Sequence, residues 1–283
     1  MDVEHLTRAE DVLASAGPLL LADEARHNLP LGILSTARAL PGVYPALLGW
    51  VAHDEGSVVG VAIRTPPHNL VLARPTDPRA IEALAEAIET ELPGVVGAVP
   101  EVDSFASAWA VRHGLEVRTA FDQRIYALHA LSPTKPVPGV LRLAGDADRS
   151  LLLDWVREFA IEALGATHYD TESVAHSVDA RLEATDAGIV LWEVDGLAVS
   201  LAGFSGSTPN GIRIGPVYTP PEHRNHGYGT AITAALSRLL LERGHRFCFL
   251  FTDLGNPTSN SIYTRMGYEP VCDSRELAFV RRH

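Results

Sequence analysis

Cysteine is scarce in this chain: Cys248 and Cys272 are the only two in 283 residues. That excludes a disulfide framework and a cysteine-built metal centre, and reduced cytoplasmic thiols are the simplest account. Long uncharged apolar runs are also missing, so no segment is expected to span a bilayer. Positive charge is in deficit, with a formal net charge of -12. Such a balance argues against a general nucleic-acid binder and is compatible with a cationic small substrate. The opening MDVEHLTRAEDV is acidic and amphipathic and lacks the basic start of a secretory signal. A cytoplasmic protein with no membrane and no nucleic-acid partner is expected.

What is present is core-forming sequence. Hydrophobic residues make up 46% of the chain, and the length suggests about two domains. Residues 1 to about 48 read as short helices broken at Pro18, Pro30 and Pro41. From Leu48, three strands follow one another, with turns at Asp54-Glu55-Gly56 and near Pro66-Pro67. Then come a helix over Pro78–Leu92, a strand near Val95–Val99, a helix over Ser104–His113 and a strand over Arg124–Leu128. Leu131–Gly139, with three prolines, reads as a linker. After it the order recurs: a strand over Val140–Leu143, helices near Arg149–Leu164 and Thr171–Glu183, and strands over Ile189–Val194 and Ala198–Ser205. The two halves look like one unit repeated.

The most informative stretch is Ile212–Leu241. A strand over Ile212–Tyr218 meets Pro220-Pro221 and the polar loop Glu222-His223-Arg224-Asn225-His226. A helix then begins around Gly227 and Gly229, with Ile232, Leu236, Leu239 and Leu240 on one stripe. The first N–H groups of a helix lack internal acceptors and its dipole favours anions, so strand, glycine turn and helix start together make a pyrophosphate site. A P-loop is excluded because no lysine closes the loop. A dinucleotide fingerprint is excluded because Ile232 stands where the third glycine belongs. What fits is Arg-x-x-Gly-x-Gly, at Arg224, Gly227 and Gly229. Further on, Leu254–Val271 reads LGNPTSNSIYTRMGYEPV. Asn256 is a helix N-cap, Pro257 the first helical residue, and Tyr263 sits about two turns along. Gly267 closes that helix before Tyr268 begins a strand.

Two motifs in this order, with a strand between them, resemble the acetyl-CoA loop and the second signature of the GNAT (GCN5-related) N-acetyltransferase superfamily. The resemblance is strong over about 140–281 and rests on element order alone over about 48–130. It implies an α/β fold of the α+β mixed-sheet type: two GNAT-like units in tandem, each a mostly antiparallel twisted sheet flanked by helices. Residues 1–130 would be a degenerate unit, 131–139 a linker and 140–283 the acetyl-CoA-binding unit. Where the second half has EHRNHGYGT the first has ARPTDPRAI, with no glycine, so its phosphate cradle is expected to be absent.

The resemblance further implies acetyl-CoA as co-substrate, no metal, and an amine-bearing acceptor on a small molecule or peptide, in a monomer or homodimer. Backbone N–H groups of Arg224, Asn225, His226, Gly227, Tyr228, Gly229 and Thr230 would take the pyrophosphate. Main chain at Val217, Tyr218 and Thr219 would pair with the pantetheine arm, and Asn256, Asn260 and Arg265 would add contacts. Tyr263 matches the tyrosine that serves as general acid; alternatively it only packs between helix and sheet. Glu162 lies on a helix face with Trp155 and Phe159 and is a candidate base or amine ligand; alternatively it is a solvated stripe edge. Asp253 is either a base or part of a helix cap. Trp155 and Tyr169 either line an acceptor pocket or pack. His223 and His226 lack the partners a zinc site needs. A non-catalytic CoA-binding sensor or assembly protein is the other class consistent with the sequence.

Overall fold

The computed structural model describes residues 1–40, 42–164 and 171–282. The element order repeats. The first half runs β1 (Asp2–Leu6), α1 (Ala9–Ala22), α2 (Asn28–Ala39), β2 (Leu48–Asp54), β3 (Ser57–Arg64), β4 (Leu70–Leu72), α3 (Arg79–Ala87), β5 (Gly94–Ala98), α4 (Glu101–His113) and β6 (Leu115–Leu128). The second runs β7 (Val140–Leu143), α5 (Arg149–Leu164), α6 (Thr171–Glu183), β8 (Gly188–Val194), β9 (Leu197–Ser205), β10 (Gly211–Tyr218), α7 (Tyr228–Glu242), β11 (Phe247–Asp253), α8 (Pro257–Arg265) and β12 (Glu269–Arg281).

Pairing repeats as well. β1 to β4 pair antiparallel in sequence order and β4 then pairs parallel with β5. Likewise β7 to β10 pair antiparallel and β10 pairs parallel with β11. Even the hairpin tips match. Glu55-Gly56 and Asp195-Gly196 both hold two successive positive φ angles, the backbone that a tight two-residue hairpin requires. Each tip follows a register shift, at Ala52/His53 and at Trp192/Glu193.

The chain forms two compact units: Met1–Ile125 with Asp253–Gly255 and Pro270–His283, and Tyr126–Thr252 with Asn256–Glu269. In the first, α3 and α4 cover one sheet face around Trp50, Leu70, Phe105 and Trp109, and α1 and α2 cover the other around Leu20, Val51 and Ile63. In the second, α7 packs on one face against Ile212, Ile214 and Tyr268, while α5 and α6 cover the opposite face around Leu191, Leu201 and Tyr218. A sheet with helices on both faces buries apolar residues of both parities, which explains the nearly continuous runs in β3 and β9.

Two elements differ from the sequence expectation. Asp2–Leu6 is a strand, not a helix start, and pairs with His53–Gly49 of β2. It is mostly exposed, so its side chains carry no period-two signal, and the ladder to β2 holds it. The last strand, expected with 140–283, pairs with β5 from Ser274↔Ala98 to Ala278↔Gly94. Arg275 fixes it there, donating to Asp103 at 2.7 Å and to Asp122 at 2.6 Å, and Arg124 donates to Asp273. Conversely Tyr126 and Leu128, expected to close the first unit, are buried in the core of the second.

Candidate functional site

The site is built where β10 leaves β11. Their parallel pairing covers Gly211↔Phe247 to Arg213↔Phe249. Immediately beyond, β10 shifts register against β9 between Ile214 and Val217, a bulge at Gly215-Pro216 that re-aims the strand. Gly203 has to be glycine here, because a Cβ would stand 2.8 Å from the Gly215 carbonyl oxygen. Past the bulge, the Ser200 hydroxyl donates to the Tyr218 carbonyl at 2.9 Å, which turns that peptide toward β9. Peptide groups alternate along a strand, so those of Val217 point to the opposite edge. Thr219 is more committed, since its carbonyl accepts Arg224 Nε at 2.9 Å.

The loop after β10 ends in an open helix start. Asn225 at φ 66 and Gly227 at φ 81 are both left-handed, a conformation asparagine and glycine tolerate. Gly227 is the N-cap of α7, and no side chain caps that helix. The first bond of the helix is Ala231 N–H to Gly227 O at 2.9 Å. Consequently the N–H groups of Asn225, His226, Gly227, Tyr228, Gly229 and Thr230 have no acceptor among the described residues. Unpartnered donors at a helix N-terminus form an anion site. A Cβ on Gly229 would meet only Thr219 Oγ1, at an ordinary 3.4 Å, so packing within the protein does not demand a glycine there. The rings of His226 and Tyr228 stack at 5.4 Å beside the loop.

The corresponding helix start in the first unit is closed. Arg79 N–H donates to Asp77 Oδ1 at 2.9 Å, and the Arg79 guanidinium spans Asp77 and Asp54. Its parallel strands, β4 and β5, stay paired through all three β4 residues.

Tyr263 lies on α8, which starts as the sequence predicts: Asn256 Oδ1 accepts Ser259 N–H at 3.1 Å and Pro257 follows. Gly267 at φ 97 follows the last turn of the helix. The Tyr263 ring packs edge-on to Tyr268 at 5.7 Å and joins the core cluster that includes Val217 and Tyr228. Burial pushes its phenol up to about 12, and its hydroxyl has no hydrogen-bond partner among the described residues. Tyr268, by contrast, is bonded to Ser237 at 2.9 Å. A protonated, uncommitted phenol is what a proton donor requires.

Other expected residues are placed with definite partners. Asn260 bridges Thr252 and the Asn256 carbonyl, which ties α8 to the end of β11 and to its own N-cap. Arg265 is exposed and donates to Ser261. Asp253 accepts Gly255 N–H at 2.7 Å, as a turn residue does. Glu162 accepts Arg224 Nη2 at 2.6 Å, and this pairing holds Arg224 firmly protonated. Trp155 is buried, with its ring 6.5 Å from that of Tyr218. Tyr169 lies outside the described residues.

Glu158 is the residue that sequence reasoning missed. It accepts the Tyr218 hydroxyl at 2.8 Å, and burial, then this bond, raises the Tyr218 phenol to about 12. The available signal was its i,i+4 spacing from Glu162, which places both carboxylates on one side of α5. Arg224 stands 5.9 Å over the Tyr218 ring, so Glu158, Glu162, Tyr218 and Arg224 form one cluster. Among the described residues no group of three or more His, Cys, Asp or Glu is arranged to hold a metal.

Comparisons with known proteins bear on the fold. Residues 196–277 match the family model described as FR47-like protein, a span that takes in β10, the α7 loop and α8. No curated protein matches the sequence. Among solved structures, a Drosophila protein superposes with a TM-score of 0.69 at 13% identity, covering 98% of both chains. An acetyltransferase from the GNAT family of Colwellia psychrerythraea gives 0.58 at 12% identity over 100% of each. A tandem GNAT protein from the clavulanic acid biosynthesis pathway gives 0.56 at 16%, covering 99% of this chain and 98% of that one. The chain thus shares the fold of these proteins along its whole length, including that of the tandem GNAT protein.

Proposed function

We propose that this protein transfers an acetyl group from acetyl-CoA to a primary amine of a small molecule or peptide, by direct transfer in a ternary complex. The observation that carries the reading is the row of six unpartnered N–H groups from Asn225 to Thr230. It lies at the end of the strand whose neighbour has just fallen away. Donors in that number suit a pyrophosphate, and the free edge of β10 at Val217 suits an amide-bearing arm that pairs as an added strand. Acetyl-CoA has both parts.

In this reading the amine nitrogen attacks the thioester carbonyl carbon, and the tetrahedral adduct collapses with cleavage of the C–S bond. The departing thiolate takes the proton of the Tyr263 hydroxyl, which its buried setting keeps protonated. Arrival of the pyrophosphate gives Arg224 a stronger anionic partner than a half-exposed carboxylate. Glu162 is then released toward the acceptor, where it receives the ammonium proton. The first unit, with its capped helix start, takes no cofactor.

The test is release of free thiol from acetyl-CoA in the presence of a panel of amines, with Tyr263→Phe as control. Amine-dependent thiol release that Tyr263→Phe lowers at unchanged cofactor affinity supports the reading. Cofactor binding without release for any amine would make the protein a CoA-binding sensor instead.

A further inference from the structure

β6 changes character along its length. Residues 125–128 are buried, whereas 116–120 are all exposed. Successive strand residues point to opposite faces, so five exposed in a row mean that no helix covers either face of the sheet there. Within the first unit the sheet order is β5-β12-β6, which gives one edge of β6 to β12. On the other edge, Leu254 N–H donates to the Asp122 carbonyl at 3.0 Å. β11 has ended at Asp253, and the next donor, Gly255 N–H, turns back to Asp253 Oδ1 at 2.7 Å. Among the described residues no strand continues along that edge from Asp122 toward Leu115.

An open strand edge presents a row of backbone donors and acceptors, a template for a further strand. Charge of one sign blunts such an edge, because it repels a second copy. This edge carries both signs. Glu116 and Arg118 are two positions apart and therefore on one face, with Val117 between them 38% exposed. The two charges meet within the chain at 3.6 Å, with the Arg118 and Glu116 side chains 64% and 48% exposed. A pairing so solvated is weak, and exchanging partners costs little.

A second copy of this chain is the strand that fits. Antiparallel pairing of two identical edges follows a two-fold axis perpendicular to the sheet, and the contact is isologous. Such an axis keeps each face on its own side. Each residue then faces one of its own parity, and the axis passes through a residue position. Centring on Glu116 sets carboxylate against carboxylate, and centring on Arg118 sets guanidinium against guanidinium. Centring on Val117 places each Glu116 opposite the partner's Arg118, twice over, with the two valines facing each other. Centres farther along need Asp122, whose carbonyl already accepts Leu254 N–H. We infer that the open segment of β6 is a self-pairing edge, and that the protein forms a two-fold dimer through it in the Val117-centred register. So short a strand pair falls below the roughly 1,200 Å² that stable interfaces bury, so the dimer forms in the micromolar range and exchanges with monomer. The inference does not depend on the acetyltransfer reading.

The experiment is sedimentation velocity on the intact protein over a wide concentration range, at low and at high salt. The native protein should pass from monomer to dimer as concentration rises, and salt should weaken the association because the ion pairs it gains are exposed. Arg118→Glu turns both symmetry-related pairs repulsive and should weaken association about 30-fold or more. Glu116→Arg should do the same. The double variant Glu116→Arg/Arg118→Glu restores complementarity and should return the dimer to within about threefold of its native strength. All three variants should keep the native melting temperature, because the substituted side chains are exposed, and this separates lost pairing from lost folding. A monomer at every concentration would overturn the inference. So would a dimer that Arg118→Glu leaves unchanged, or one that both single variants abolish and the double variant does not rebuild.

Discussion

Arg224 Nη2 donates to Glu162 Oε2 at 2.6 Å, so a residue expected to hold phosphate and a residue expected to accept a proton neutralise each other across the mouth of the site. Their side chains are 39% and 57% exposed, which limits such a pair to roughly 1 kcal/mol. The pairing competes with the cofactor for Arg224. Glu162→Gln should therefore tighten acetyl-CoA binding up to about fivefold, while lowering turnover about tenfold through loss of the proton acceptor. Calorimetry and steady-state rates on the one variant separate the two effects. Unchanged affinity would show that the pair does not hold Arg224 back.

Tyr263→Phe should leave acetyl-CoA affinity within twofold and reduce turnover by about 100-fold or more. Because burial holds the Tyr263 phenol at about 12, the donor form persists through the whole alkaline range of an ordinary assay. A pH–rate profile should accordingly show no loss between about pH 8 and 10 that disappears in Tyr263→Phe. Such a loss would place the titrating acid elsewhere.

The first unit carries its own pH dependence. His27 is buried; its Nε2 accepts the Arg74 N–H at 3.1 Å, so Nδ1 is the nitrogen that donates to the Leu20 carbonyl at 3.0 Å. Both ring nitrogens are occupied only in the neutral form, and burial lowers the imidazole from 6.5. The unfolded chain therefore binds this proton first. Stability should be complete above about pH 6.5 and fall as pH drops below it toward the folded value. Denaturant titrations at pH 7.5 and 5.5 measure the slope, and His27→Gln should flatten it.

Truncation provides a test of how the chain is divided. A fragment starting at the proline-rich linker, residues 139–283, lacks Tyr126 and Leu128, both buried in the second unit's core, and leaves β12 without β5. Losing two buried side chains of this size costs several kcal/mol, on the order of a domain's whole stability. The fragment should give no cooperative melt by circular dichroism. A folded, acetyl-CoA-binding fragment would show that β12 and the end of β6 are dispensable.

Much of this was legible in the sequence because the signals were local. Asn256-Pro257 capped its helix, Gly267 ended it, and the elements around Gly227 fell within a residue or two of their expected bounds. Long-range features were not legible. Nothing in EPVCDSRELAFVR says that it pairs with β5, because strand partners are chosen by the folded sheet. β1 is held by its ladder and shows no amphipathic pattern. The Glu162–Arg224 and Arg181–Ser205 contacts join residues 62 and 24 positions apart.

The most direct measurement is calorimetric titration of the intact protein with acetyl-CoA, repeated on Gly229→Val. Gly229 is a clean probe, because a Cβ there would make only an ordinary 3.4 Å contact with Thr219 Oγ1 and it lies within a regular helix, unlike Gly227 at φ 81. The expected result is one site per chain, lost in Gly229→Val at an unchanged melting temperature. No binding, two sites, or an unaffected variant would contradict a single phosphate cradle at the start of α7.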